Sequence, residues 1–246
     1  MATQSFNRDP PASFRGFHDD LPITFYHRNL PHWRQDGAHY FVTFRLADSL
    51  PQSKLNELKS LRRAFFASMG IAGRRTDRRS VLLPTDEATK KWEEFTRQQM
   101  QRVEKWLDQG MGSCVLKRPE LSSIVTDALH HFDNDRYELC CYVVMPNHVH
   151  LILKPLQPDV HPLEKLLQSR KRQSAYQINL ALHQTGQLWQ EESFDRIIRD
   201  PDHLYQCIEY IGDNPRRAGL DVSSIPRWVR PEWVRLGWGF GDALTG

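Results

Sequence analysis

Residues 142–154 read Y-V-V-M-P-N-H-V-H-L-I-L-K and predict two apolar β-strands joined at Met145-Pro146-Asn147. Because side chains alternate between the two faces of a strand, His148 and His150 are expected to point the same way. Two imidazoles side by side on a rigid strand form half of a metal site, since imidazole binds manganese, zinc and iron well. The alternative is a buried strand whose histidines are satisfied by backbone or water. The Pro-Asn turn, which puts the pair at an edge of the sheet, counts against that alternative.

A helix later in the chain offers the remaining groups. Asp200-Pro201-Asp202 is a helix start, with Asp as the N-cap and Pro at the first helical position. Tyr210 and Asn214 are four residues apart and share a helix face, and Pro215 is expected to make Asn214 the last helical residue or the first beyond it. Tyr205 lies about 140° around the helix from Tyr210, so only one of the two can face a metal. The spacing to Asn214 favours Tyr210.

Three motifs together carry a family resemblance: M-P-N-H-V-H-L-I-L (145–153), G-Q-L-W-Q-E-E-S-F-D-R-I-I-R-D (186–200) and Y-I-G-D-N-P-R-R-A-G-L (210–220). In order and spacing they resemble the REP-associated tyrosine transposases, bacterial relatives of the single-tyrosine HUH transposases. The resemblance runs with interruptions over residues 31–220. It implies an HUH endonuclease fold and a metal-dependent nuclease and strand transferase that acts on single-stranded DNA, at palindromic repeats that fold into hairpins.

The resemblance also implies roles for single residues. His148, His150 and Asn214 would bind one divalent ion, Mg²⁺ or Mn²⁺; nitrogen ligands favour Mn²⁺ and abundance favours Mg²⁺. Tyr210 would be the nucleophile, and the intermediate a 5′-phosphotyrosine with a 3′-OH left behind. No obvious general base for Tyr210 is visible in the sequence.

Composition bounds the protein class more loosely. The 246 residues are 39% hydrophobic, which suits one large packed domain, and the net charge of +3 does not by itself indicate nucleic acid. The four cysteines show no C-x-x-C spacing, so neither a zinc ribbon nor a disulfide scaffold is predicted. Neither a signal peptide nor an apolar run of about 18 residues is present. We therefore expect a soluble cytoplasmic protein, associated with the bacterial nucleoid through its DNA, with no membrane partner.

The order of elements predicts an α+β fold with a ferredoxin-like (RRM-like) antiparallel sheet and helices on its face, because strands and helices alternate around a central hairpin. Three regions are expected along the chain: a flexible N-terminal arm (1–30), the catalytic domain (31–220), and a Trp/Arg-rich tail (221–246). Extra helices are inserted at about 70–132. The inserted helix at 85–110 has no readable role, and the basic loop at 73–79 is as consistent with a solvated turn as with phosphate binding.

Basic and aromatic residues are predicted to contact single-stranded or hairpin DNA. The expected oligomeric state is a monomer, and a dimer is the alternative. A charged helix face can simply be solvated, and tryptophans can cap the domain's own core instead of stacking on bases. The predicted DNA-binding residues are Arg170, Lys171, Arg172, Arg216, Arg217, Trp228, Arg230 and Trp233.

Two other functional classes remain open. A histidine-triad phosphohydrolase or nucleotidyl transferase would need a third histidine where this chain has Ile152. A non-catalytic DNA-binding protein derived from a transposase would not need His148, His150, Tyr210 and Asn214 intact. Both alternatives are therefore disfavoured.

Overall fold

The computed structural model describes residues 8–22, 24–27, 31–69 and 86–241. In this part of the chain the strands are β1 (Thr24–His27), β2 (Pro31–Arg34), β3 (Tyr40–Arg45), β4 (Tyr137–Val144), β5 (His148–Pro155), β6 (Phe194–Ile197) and β7 (Arg227–Val229). The α-helices are α1 (Gln52–Ser68), α2 (Asp86–Leu107), α3 (Pro119–His130), α4 (Leu163–Ala181), α5 (Pro201–Arg217) and α6 (Pro231–Arg235).

Five strands form one antiparallel sheet in the order β6-β3-β5-β4-β7, and β1 pairs with β2 as a separate hairpin. Apart from α1 and α2, which lie between β3 and α3, the main elements from β3 to β6 have the order β-α-β-β-α-β. In that motif the fourth strand lies beside the first and the third beside the second, which is the ferredoxin-like arrangement. The predicted α+β, ferredoxin-like antiparallel sheet is confirmed.

The strand register decides which side chains share a face. His150 lies opposite Thr43, and His148 lies opposite Arg45. His148, His150 and Ile152 therefore point to one face of the sheet. The opposite face carries Val149, Leu151 and Leu153, which belong to a core that is shared with α3 and α4.

The histidine face is covered as well. Helix α5 packs on it through Leu204, Cys207, Ile208 and Ile211, which are all buried in a second core with Phe41 and Ile152 of the sheet. Met100 of α2 and the tail residues Trp233, Trp238 and Phe240 complete this core. The second face is buried by α5, the tail and the inserted helix α2. The sheet thus has helices on both faces, whereas the sequence predicted helices on one.

The N-terminal arm differs from its prediction over residues 8–22. Phe14 is buried, the Ser13 hydroxyl donates to Glu138 at 2.6 Å, and the Phe17 amide donates to Ile198 at 3.0 Å. This segment is held by an apolar anchor and by hydrogen bonds to β4 and to the residue that follows β6. No local pattern indicated these contacts, because Glu138 and Ile198 lie more than a hundred residues away in sequence.

The tail, which the sequence set apart from the central domain, forms regular structure. Strand β7 pairs with β4 through Cys141↔Val229 and Tyr142↔Trp228. Pro231 stands at the first helical position of α6, where its missing N–H is not needed. The five-stranded sheet therefore extends beyond residue 220 and takes its edge strand β7 from the tail.

Helix α5 continues through Pro215 to Arg217, so the prediction that it would end at Asn214 was wrong. The preference of a residue before proline for extended backbone is a bias, and the packed face of α5 overrides it. The Ala218 amide still donates to the Asn214 carbonyl at 3.1 Å. Asn214 therefore sits inside the helix, on the same rigid element as Tyr210.

The predicted basic loop at 73–79 lies outside the described residues. Among the described residues, no helix combines the length and the apolar character that a membrane crossing requires.

Candidate active site

The two histidines of β5 are each held at one ring nitrogen. Nδ1 of His150 lies 2.8 Å from the Thr43 hydroxyl, and Nδ1 of His148 lies 2.7 Å from the Asn147 side-chain oxygen. The ring centroids are 4.6 Å apart. Both Nε2 atoms are buried and have no hydrogen-bond partner among the described residues. The pair therefore presents two oriented, unsatisfied nitrogens side by side.

Helix α5 brings Tyr210 and Asn214 to this pair. The helix begins at Asp200, whose carboxylate accepts from the His203 amide at 2.7 Å, as expected for an N-cap. The Tyr210 ring lies 5.3 Å from the His150 ring, measured between centroids. Asn214 is 0% exposed, and neither atom of its side-chain amide has a hydrogen bond of ordinary geometry within the described chain, but the amide lies close enough to His148 to raise the pKa of that ring. We call His148, His150, Tyr210 and Asn214 the histidine-pair site.

The donor set of the histidine-pair site fits a divalent ion. Burial lowers the pKa of His148 to about 3 and that of His150 well below its usual value, which keeps both rings neutral, as metal ligation requires. A buried polar group without a partner costs about 1–3 kcal/mol, and several such atoms converge here. An ion that bound both Nε2 atoms and the Asn214 oxygen would remove that cost.

Tyr210 is held in a polar but closed environment. Burial, followed by the nearby Glu104 carboxylate, raises the pKa of the Tyr210 phenol above its usual value of 10, whereas the cation of Arg217 opposes the shift. The Arg217 guanidinium lies 4.7 Å from the centre of the Tyr210 ring. Tyr205 instead contacts Trp238, with centroids 6.4 Å apart, so the structure places Tyr210, and not Tyr205, beside the histidines.

Two charged residues at this site were not predicted from the sequence. Glu104 of α2 lies near the Tyr210 hydroxyl, and burial raises the pKa of its carboxyl to about 7. Arg196 of β6 stacks over Phe41 at 5.0 Å, and its charge lowers the pKa of both His150 and Glu104. The one weak signal for Glu104 was a carboxylate close in sequence to two large apolar residues, Trp106 and Leu107.

The end of helix α2 is fastened to the turn before β5. The Asn147 side-chain amide donates to the carbonyls of Leu107 and Met111, at 3.2 Å in each case. The same Asn147 orients His148 through its oxygen. One residue thus couples the inserted helix to the first histidine, which gives α2 a role that the sequence could not show.

The predicted DNA-binding residues divide into two groups. Three are exposed: Arg172 on α4, and Arg216 and Arg217 at the end of α5, where Arg216 pairs with Asp213 at 3.5 Å. A cavity of about 570 Å³ runs along α5 and is lined by Tyr210, Arg216 and Arg217. The structure therefore places two of these arginines beside the predicted nucleophile.

The other predicted DNA-binding residues are engaged within the fold. Trp233 is 1% exposed in the second core, so stacking of this ring on a base is excluded by its burial. Arg170 donates to the Ala128 carbonyl and lies over Phe132, and Lys171 donates to the carbonyls of Gln190 and Glu191. In both residues, backbone carbonyl oxygens take the place of water around the cation.

Two tail residues follow the same pattern. Arg230 forms an ion pair with Asp133 and donates to the Leu139 carbonyl at 2.8 Å. The half-buried Trp228 stacks on Tyr142 with centroids 5.9 Å apart. Both residues attach the tail to β4. They therefore pack against the protein's own fold, which was the alternative to contact with DNA.

A second set of ligand-type residues lies at the other end of the sheet. His39, Glu138 and Cys140 are buried, and their potential ligand atoms all lie within 4.8 Å of one another. We call this set the Cys140 cluster. Its carboxylate already pairs with Lys154 at 2.8 Å and accepts from Ser13 at 2.6 Å. Burial, followed by the nearby Lys154 cation, lowers the pKa of His39 to about 4.

Comparisons with known proteins add a distant likeness to a solved structure. No protein-family model matches the chain, and no curated protein matches it. A solved structure described as the REP-associated tyrosine transposase bound to a REP hairpin matches with 20% sequence identity, 81% coverage of each chain and a TM-score of 0.40. At that TM-score the function has to be argued from the residues of this chain.

Proposed function

We propose that this protein is a metal-dependent endonuclease and strand transferase of single-stranded DNA, with Tyr210 as its nucleophile. The observation that carries the proposal is the arrangement of the histidine-pair site. The Tyr210 ring of α5 lies 5.3 Å from the His150 ring, measured between centroids. Nε2 of His150, Nε2 of His148 and the buried Asn214 amide all lack a hydrogen bond of ordinary geometry among the described residues. Phosphodiester cleavage through a covalent intermediate needs this combination of nucleophile and ligands.

The roles follow from the chemistry of each group. His148, His150 and Asn214 would hold Mg²⁺ or Mn²⁺, which acts when bound as a Lewis acid on a non-bridging phosphate oxygen. Thr43 and Asn147 fix the ring orientations, so the nitrogens need no rearrangement for ligation. The Tyr210 oxygen forms a bond to phosphorus, and the bond from phosphorus to the 3′-oxygen breaks. Since a phenol is a better leaving group than an alkyl hydroxyl, a 3′-OH can later reverse the step and transfer the strand.

The substrate reaches Tyr210 along α5 in this proposal. The cavity lined by Tyr210, Arg216 and Arg217 has a volume of about 570 Å³, which suits a segment of single-stranded backbone. Arginines there would contact phosphates on either side of the scissile bond. The three sequence motifs support hairpin-forming palindromes as the target. Arg172 on α4 is proposed as a more distant phosphate contact.

The test uses end-labelled hairpin oligonucleotides with single-stranded flanks, taken from palindromes beside the gene, in the presence of Mn²⁺. We expect a cleaved strand with a 3′-OH and a protein–DNA adduct that survives denaturing electrophoresis. The Tyr210→Phe variant should bind the same hairpin with unchanged affinity and form no adduct. The Tyr205→Phe variant is the matched control and should retain the adduct.

Two results would contradict the proposal. Adduct formation by Tyr210→Phe would show that another residue is the nucleophile. Hairpin binding by the native protein without any cleavage in Mn²⁺ or Mg²⁺ would favour the non-catalytic DNA-binding alternative.

A further inference from the structure

The inserted helix α2 lies next to the predicted nucleophile, although it is far away in sequence. Its residue Met100 is buried in the core beneath α5, and its end is tied to Asn147 by two hydrogen bonds. Glu104, one turn after Met100, is therefore directed toward the same face as Tyr210. Its carboxylate and the Tyr210 hydroxyl are close enough for each group to alter the protonation of the other.

The Tyr210 hydroxyl is a buried donor that needs an acceptor. It has no hydrogen bond of ordinary geometry among the described residues, but the Glu104 carboxylate lies close enough to act on it through charge and hydrogen bonding. A cavity of about 300 Å³ between α1, α2 and the sheet reaches both Glu104 and Thr43, whose hydroxyl holds His150. The Glu104 side chain therefore has open space beside it in which to adjust, although Tyr210 does not line this cavity.

We propose that Glu104 is the general base that accepts the phenolic proton of Tyr210 during DNA cleavage. The inference rests on the proposed function and adds a residue to it. In the step, the O–H bond of Tyr210 breaks and its proton moves to a Glu104 oxygen, while the phenolic oxygen forms its bond to phosphorus. The departing 3′-oxygen takes a proton from water, and Glu104 keeps the proton that it has accepted until the strand is rejoined. In the rejoining step the protonated Glu104 would donate to the departing phenolic oxygen.

The surroundings of Glu104 suit this role. Its pKa is raised by burial to about 7, and a general base works best when its pKa lies near the operating pH. Arg196 and Arg217 stand close enough to favour its charged form, whereas Asp108 opposes that form. Asp108 lies one turn further along the chain and has a smaller effect on the pKa of Tyr210 than Glu104 has. It is therefore the natural comparison residue.

The experiment compares Glu104→Gln with Asp108→Asn and Glu104→Asp in the full chain. Three quantities are measured for each: the affinity for an uncleaved hairpin, Mn²⁺ binding by calorimetry, and the single-turnover rate of adduct formation. We expect Glu104→Gln to slow adduct formation by about 100-fold, at the lower end of what a general base contributes. Hairpin affinity and Mn²⁺ stoichiometry should stay unchanged. Glu104→Asp should recover part of the rate, and Asp108→Asn should lose less than about threefold.

Other outcomes overturn the inference in distinguishable ways. An unchanged rate in Glu104→Gln means that Glu104 takes no proton, and a faster rate means that α2 restrains the site. Loss of Mn²⁺ binding in Glu104→Gln makes Glu104 a metal ligand instead of a base. Should Glu104→Gln fail to fold, Glu104→Asp decides, since an unchanged rate with the shorter side chain contradicts proton transfer. Absence of any adduct with native protein would refute the proposed function itself, which Tyr210→Phe tests separately.

Discussion

The two ends of the histidine face each carry buried residues of the types that bind metals, yet they differ in chemistry. In the histidine-pair site, Nε2 of both histidines and the Asn214 amide lack a hydrogen bond of ordinary geometry within the described chain. In the Cys140 cluster, Nε2 of His39 likewise has no hydrogen-bond partner among the described residues, but the Glu138 carboxylate is bonded to Lys154 and Ser13. The difference teaches that a buried set of ligand-type residues suits an ion only when the whole set is unsatisfied, whereas the Cys140 cluster already holds the cation of Lys154.

The strongest test of this comparison removes one histidine from each end. His148→Ala should abolish Mn²⁺ binding and reduce adduct formation by about a thousandfold, which corresponds to roughly 4 kcal/mol of transition-state stabilisation. His39→Ala should leave the Mn²⁺ stoichiometry unchanged. Calorimetry with Mn²⁺ and the gel assay measure both effects. Retention of the ion by His148→Ala together with its loss from His39→Ala would reverse the assignment of the two clusters.

The second test breaks the ion pair that occupies the Cys140 cluster. Lys154→Met leaves the partly buried Glu138 carboxylate without its cation and should lower the free energy of unfolding by about 3 kcal/mol. Under conditions where the variant is folded, its adduct formation should match that of the native protein. Urea unfolding provides the measurement, with the exposed Lys165→Met as the control. A loss no larger than that of the control would mean that the pair is not structural.

A smaller effect should come from the residue that orients His150. Thr43→Val keeps the side-chain shape but removes the hydroxyl that contacts Nδ1 of His150. Loss of such a partner typically weakens metal binding by about 10-fold or more, so we expect about a tenfold lower Mn²⁺ affinity and a correspondingly slower cleavage at limiting Mn²⁺. Thr126→Val, which removes a surface hydroxyl on α3, is the matched control. Equal affinities in the two variants would show that Thr43 does not orient the ring.

The smallest effect concerns acid stability. The pKa of His39 is about 4 in the folded protein and about 6.5 in an unfolded chain, so only the unfolded state takes up this proton between those values. The stability contributed by neutral His39 is therefore full above pH 6.5 and is lost as the pH falls toward 4. Relative to pH 7.5, the loss from this one group should be about 1 kcal/mol at pH 5.5. His39→Gln should lose correspondingly less stability over this interval, as measured by urea unfolding; an unaltered dependence would contradict the assignment.

Local patterns predicted much of the fold. The alternation of side chains placed His148 and His150 on one face, and the register with β3 shows the same placement. The Asp200 cap and the four-residue spacing predicted a helix that presents Tyr210 and Asn214 together. These features depend on residues within a few positions of each other, where backbone geometry alone determines the outcome.

The features that escaped prediction are contacts between distant parts of the chain. Glu104 meets Tyr210 from 106 residues away in the chain, and its place near Trp106 and Leu107 does not by itself distinguish it from a solvated carboxylate. Arg170 and Lys171 looked like a charged outer face, but backbone carbonyls of Ala128, Gln190 and Glu191 take up their donors. Which long side chains turn inward depends on where unsatisfied carbonyls lie, and only the assembled fold supplies that information.

The two ends of the sequence are joined in the finished molecule. The Trp238 indole donates to the Asp9 carbonyl at 2.9 Å, and the Arg8 guanidinium donates to the Gly237 carbonyl at 3.0 Å. The amino-terminal segment can make these two hydrogen bonds only after Gly237 and Trp238 have been synthesised, whereas its contacts with Glu138 and Ile198 do not depend on them. Because Trp238 also belongs to the core beneath α5, the layer over this helix is completed only when segments from far apart in the chain have come together.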